Sequence, residues 1–143
     1  MKAPIFQLDA FTTRRFAGNP AAVLVLAEFP ADGVLQAIAA ENNLAETAFL
    51  VGGAGQYRLR WFTPTVEVPL CGHATLASAA VVMERLEQGR SSVTFQTLSG
   101  PLHVRCEGGC YVLNLPAFAP NPVPPPVGLA EALGIELVEV SAY

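Results

Sequence analysis

The segment Gly72–Leu86, GHATLASAAVVMERL, constrains this chain more than any other. After Gly72 it contains neither glycine nor proline, it is rich in alanine, and it carries no charge before Glu84 and Arg85. A helix that is apolar all round for about three turns has no face to offer to water, so other elements must enclose it. Small side chains at Ala74, Ala77, Ser78, Ala79 and Ala80 allow those elements to approach its axis closely.

Strand-like segments are available to form the enclosure. Ile5–Phe11 alternates apolar and polar residues, and Ala21–Leu26 is a short apolar run suited to burial on both faces. Between them Gly18-Asn19-Pro20 is a strong turn signal. Thr47–Val51 and Tyr57–Phe62 flank a glycine-rich turn at 52–55 and read as a hairpin. Ser92–Thr97, Leu102–Cys106 and Cys110–Leu115 read as three more strands, with turns at Ser99-Gly100-Pro101 and Gly108-Gly109. One further helix is expected over Pro30–Asn43, with Val34, Leu35 and Ile38 on one face and Asn42-Asn43 at its end. The fold class that follows is α+β: a mainly antiparallel sheet curled around a central buried helix.

Six of the twelve prolines fall between Pro116 and Pro126, a stretch that favours extended polyproline geometry over a sheet ladder. The expected organisation is therefore a domain over 1–115, a proline-rich linker over 116–127, and the start of a second domain over 128–143. That last stretch reads as a short helix at Gly128–Leu133 and a strand at Glu136–Tyr143.

Composition narrows the function. With 52% apolar and 14% charged residues the chain is suited to a packed core rather than to disorder. A net charge of −4, with eight scattered basic residues, argues against a nucleic-acid partner. Apolar runs such as Leu76–Met83 are far shorter than the ~20 residues a bilayer requires, and Met1–Phe11 lacks a signal-peptide core. Three cysteines, an odd number, fit a reducing cytoplasm better than a disulfide framework. So apolar a chain is also expected to leave a hydrophobic face for a partner, either a second copy or its own continuation.

Three clusters hold residues that can do chemistry. In Glu67-Val68-Pro69-Leu70-Cys71-Gly72-His73-Ala74-Thr75, Gly72 and His73 open the buried helix, where unpaired N–H groups and the macrodipole favour an anion. The competing reading is that Thr65 or Glu67 folds back as a cap. His73 at that position is expected to be a neutral imidazole able to hydrogen-bond a ligand, unless it merely caps the helix. Cys71 is open to two readings: a thiol acidified by the helix start, or a buried inert cysteine. Glu46, within Asn43-Leu44-Ala45-Glu46-Thr47, has apolar neighbours whose poor solvation would suit it to general acid–base work; the alternative is a solvated loop carboxylate. The third cluster, Phe16-Ala17-Gly18-Asn19-Pro20, contributes Asn19. His103 has no companion and is expected to be exposed. Cys106 and Cys110 are expected to face each other across a hairpin, with spacing poor for zinc, so no metal is expected. No glycine-rich phosphate or dinucleotide loop is present.

Taken in order, these clusters together with Asp9-Ala10-Phe11 and Arg60-Trp61-Phe62-Thr63-Pro64 resemble the PhzF-like family, named for the phenazine-biosynthesis isomerase and related to diaminopimelate epimerase. The resemblance spans nearly all of residues 4–115. It implies a two-domain, epimerase-like fold with the active site in the cleft between the halves, of which this chain is the N-terminal one. It further implies a cofactor-independent isomerase in which Glu46 is the general acid/base, His73 assists proton movement, and Gly72, Asn19, Ala74 and Thr75 bind a small anionic substrate. In the phenazine enzyme that substrate is trans-2,3-dihydro-3-hydroxyanthranilate. The related epimerases use a cysteine pair whose first member aligns with Cys71, which makes Cys71 a secondary candidate. The family also draws an aspartate and a Gly-Ser helix start from its second domain, and neither occurs here. The expectation is an isomerase half, inactive unless completed by its other half or by a second copy in a homodimer. The alternative is a non-catalytic small-molecule-binding or dimerisation module. A hotdog-type hydrolase is a weaker third reading.

Overall fold

The computed structural model describes residues 2–117 and 119–142. Phe118 in the expected linker and Tyr143 at the end of the expected last strand lie outside them.

The buried helix is present and central. Helix α2 runs Gly72–Val81, and all its residues but Gly72 and Leu76 are buried. Its two hydroxyl residues remain inside because each bonds back to a carbonyl one turn earlier. Thr75 Oγ1 donates to the Cys71 carbonyl (2.5 Å) and Ser78 Oγ to that of Ala74 (2.7 Å). The expected single helix to Leu86 instead widens into one π-helical turn over Val82–Leu86, closed by Glu87 N–H donating to the Val82 carbonyl.

Around α2 curls a sheet made of β1 (Ile5–Ala10), β2 (Asn19–Leu26), β3 (Glu46–Gly53), β4 (Gln56–Phe62), β6 (Ser92–Thr97), β7 (Gly100–Glu107) and β8 (Cys110–Asn114), joined in that order. A two-residue strand β5 (Glu67–Val68), not expected from the sequence, pairs beside β4. Most neighbours are antiparallel, but β2–β3 and β4–β6 are parallel. The first parallel pair is made possible by α1 (Asp32–Asn42), which carries the chain back between β2 and β3. Strand β2 is sandwiched as its sequence requires. Ala21 and Val23 face the cluster around α2, while Ala22, Leu24 and Leu26 face a second cluster under α1 with Leu35, Ala39, Phe49 and Phe62. Val34, expected on the buried face of α1, is exposed instead; Leu35 and Ala39 are the buried residues.

The sheet does not close. Between its edge strands β1 and β8 a groove of about 670 Å³ leaves Leu76, Ala77 and Ala80 of α2 approachable. Exposed Phe11 lines the same groove, which agrees with the expected open apolar face.

The proline-rich stretch forms more structure than expected. Asn121–Pro122 (β9) pairs antiparallel with Ser141–Ala142 (β10), and α3 (Leu129–Leu133) lies between them with no buried residue. Of the strand expected over Glu136–Tyr143, the described residues form a ladder at Ser141–Ala142, opposite Asn121–Pro122.

Candidate functional site

The turn carrying Glu46 is set by backbone geometry. Asn43 ends α1 in the left-handed conformation (φ 50°), with its N–H bonded to the Ala39 carbonyl. This tight exit brings the chain directly into β3, whose first residue is Glu46. Asn42, expected only to mark the helix end, fastens the turn by donating from Nδ2 to Oγ1 of the fully buried Thr47 (3.1 Å).

The other side of the site is the start of α2. Among the described residues no side chain caps this helix. Thr65 and Glu67, the expected alternatives, are engaged elsewhere: Thr65 with Thr63, and Glu67 in a two-pronged pair with Arg60 (2.7 and 2.6 Å). Arg60 also reaches Asp32 at the start of α1 (2.8 Å), so the Arg60–Pro64 motif braces the scaffold. The loop entering α2 is tied to the sheet by Ser99 Oγ donating to the Pro69 carbonyl (2.8 Å). A Cβ built on Gly72 would meet no protein atom within 4 Å, so the space before the helix is open.

At this point the side chains converge. His73 Nε2 lies 3.2 Å from Glu46 Oε2, while its Nδ1 lies 3.4 Å from Cys71 Sγ. The His73 side chain is 9% exposed and that of Glu46 20%. Although Nε2 and Oε2 are close, they are not aligned as a hydrogen bond, and neither has another partner among the described residues. A buried donor and a buried acceptor left unmated in native structure call for an explanation. Here both sit at the uncapped, electropositive start of α2.

The structure separates the two readings of Cys71. Burial pushes its thiol up to about 11, and the nearby Glu46 charge adds to this. The backbone amides of Ala74 and His73 pull the other way, without reaching Sγ in capping geometry. Burial thus favours the protonated thiol over the acidified thiolate. Cys71, His73 and Glu46 offer ligand atoms within 4.8 Å of one another.

The remaining expected site residues divide. Asn19 opens β2, two residues before Ala21, which is the parallel partner of Glu46, so it lies at the same end of the sheet. Just before it, Gly18 passes so close to β1 that a Cβ would fall 2.5 Å from the Ala10 carbonyl oxygen; glycine is required there. Ala74, expected to bind substrate, is fully enclosed, backbone included. Thr75, expected to bind substrate, has both its hydroxyl and its N–H bonded to the Cys71 carbonyl, and is a helix-start brace instead. His103 is exposed as expected, but it does have a companion in Thr94 Oγ1 (3.1 Å). Cys106 and Cys110 do not oppose each other: their partners across the hairpin are Tyr111 and Glu107, which sends the two thiols to opposite faces. All three cysteines are free.

Comparison with known proteins agrees with this geometry. Residues 8–127 match the family model described as phenazine biosynthesis-like protein, PhzC-PhzF. The chain is 55% identical over 140 residues to a Pseudomonas aeruginosa protein named as an uncharacterized isomerase, covering 98% of this chain and 54% of that protein. It is 48% identical over 130 residues to the human phenazine biosynthesis-like domain-containing protein, covering 85% of this chain and 45% of the human one. The crystal structure of a PhzF-family protein from Enterococcus faecalis superposes with a TM-score of 0.87 at 42% identity, over 99% of this chain and 54% of that chain. The chain thus spans about half the length of the relatives it matches. Its motifs, its helix enclosed by a curled sheet and its close relatives give one answer: the chain belongs to the PhzC-PhzF, phenazine biosynthesis-like family.

Proposed function

We propose that this chain supplies one wall of the active site of a cofactor-independent isomerase acting on a small metabolite that bears a carboxylate. The observation that carries the proposal is the Glu46–His73 pair: two buried polar groups 3.2 Å apart, unmated, at the uncapped start of a buried helix. In this reading the substrate carboxylate sits before Gly72, held by the backbone N–H groups of the first turn. Glu46 removes a proton from the adjacent carbon and returns it elsewhere on the same skeleton. His73 donates to the developing anion, a role that a neutral imidazole can fill.

The second wall comes from the other half of the longer protein, of which residues 128–143 are the beginning, or from another copy. Exposed apolar side chains such as Phe11 and Phe16 support a covering partner. No helix of the described residues is long and apolar enough to cross a membrane, and three free thiols suit the reducing cytoplasm, where we place the protein.

The test is isotopic. The full-length protein is incubated in heavy water with trans-2,3-dihydro-3-hydroxyanthranilate and with a panel of related cyclic and acyclic carboxylates. Deuterium gained at carbon in a Glu46-dependent manner supports the proposal. A protein that binds such a ligand at Gly72 without any exchange is instead a binding module.

A further inference from the structure

We propose that Cys71 is a positioning residue whose S–H donates to Nδ1 of His73, so that the ring hydrogen resides on Nε2, the nitrogen beside Glu46. The inference rests on the isomerase reading for its purpose, but its evidence is separate.

Sγ and Nδ1 are 3.4 Å apart and both groups are buried, so water does not compete for either. Burial keeps the proton on sulfur. Nδ1 has no other partner among the described residues, so in this proposal it accepts from the thiol. A neutral imidazole that accepts at Nδ1 must carry its hydrogen at Nε2. That hydrogen then lies on the side of the Glu46 carboxyl, whose Oε2 is 3.2 Å from Nε2 though out of hydrogen-bond alignment. The opposite tautomer would set a bare Nε2 lone pair against the Glu46 oxygen, a repulsive arrangement at 3.2 Å. A cysteine thus performs the orienting task that a carboxylate or carbonyl performs behind many histidines, without adding a charge.

Spectroscopy on the full-length protein tests this without reference to turnover. The chain has one other histidine and two other cysteines, so a background of His103→Asn, Cys106→Ser and Cys110→Ser isolates the pair in this half. Nitrogen-15 NMR is expected to place the His73 hydrogen on Nε2, and the infrared S–H stretch of Cys71 to shift to lower wavenumber than that of an unbonded thiol. Cys71→Ser should preserve the Nε2–H form, whereas Cys71→Ala should introduce a second signal set from the Nδ1–H form. If the substrate assay is active, Cys71→Ala should slow exchange about tenfold and Cys71→Ser about twofold or less. A hydrogen on Nδ1 in the parent, an unshifted S–H stretch, or an alanine variant with the parent's tautomer would overturn the proposal. Were Cys71→Ala not to fold, the parent and serine spectra would still decide. Lack of exchange with every substrate would sink the isomerase reading and leave these spectra untouched.

Discussion

Each end of helix α2 meets a glutamate, and the two carboxyls are treated in opposite ways. Beyond the π turn, Glu87 accepts from Tyr57 Oη (2.6 Å), from the Gly55 N–H (3.2 Å) and from Arg90 Nε (2.5 Å). Its carboxyl is held below the usual range, chiefly by the Tyr57 hydrogen bond, and burial raises the Tyr57 hydroxyl in turn. At the other end, among the described residues, Glu46 Oε2 has no hydrogen-bond partner, and His73 lies 3.2 Å away out of alignment. Both are acidic residues at the boundary of the same core. The difference separates a saturated carboxyl, which belongs to the scaffold, from an unsatisfied one beside a positive helix end, to which the proposed proton transfer is assigned.

The largest effect should come from the unsatisfied end. Glu46→Gln is expected to lower solvent deuterium incorporation about 10³-fold while leaving ligand affinity and Tm nearly unchanged. Exchange that survives this change would break the comparison at its functional pole.

The saturated end should answer with stability alone. Glu87→Ala strands the Tyr57 hydroxyl and the Gly55 N–H, at a cost of about 2 kcal/mol, a loss of several degrees in Tm. Thermal melts alongside exchange assays normalised to folded protein would reveal a mistake here if activity fell first.

Gly72→Ala sharpens the contrast further. The added methyl meets no protein atom, so folding should be unaffected, but it intrudes where the ligand carboxylate is placed. Affinity for the carboxylate substrate should drop about tenfold, or about 1.4 kcal/mol. Unchanged affinity by titration calorimetry would move the anion away from the helix start.

Acid should act through Glu87. Because its folded carboxyl is depressed, the stability it contributes is present above the unfolded carboxylate range near about pH 4.3 and is lost as pH falls below it. Melts from neutral to acid pH should show Glu87→Gln with a lower neutral Tm and a shallower acid decline than the parent. Smallest of all, replacing the exposed Cys106 and Cys110 by serine should alter stability by less than about 0.5 kcal/mol. A larger change in denaturant midpoint would mean that these thiols do more than the hairpin register implies.

Some of this was legible residue by residue. The alanine-rich run from Gly72 declares a surrounded helix because no face of it is polar, and Ala21–Leu26 declares a strand covered twice for the same reason. Asn43 marks a helix exit because asparagine tolerates left-handed backbone. The π turn at Val82–Leu86 was not legible, since one extra residue in a helical turn leaves the apolar pattern intact. The spending of Thr75 on the Cys71 carbonyl was equally hidden, because a threonine beside Gly-His reads the same whether its hydroxyl turns into the helix or out to a ligand.

The sequence by itself determined which helix would be buried, which glutamate would emerge from a tight helix exit, and which family the motifs belong to. These are properties of local pattern, read from hydropathy period, turn chemistry and residue order. Only the tertiary structure decided that Cys71 keeps its proton, that the His73 ring lies between thiol and carboxyl, and that Glu67 turns to Arg60 rather than to the helix start. The physical reason is that solvation and hydrogen-bond choice depend on which distant segments share a sheet register and a core, and one-dimensional spacing does not encode that competition.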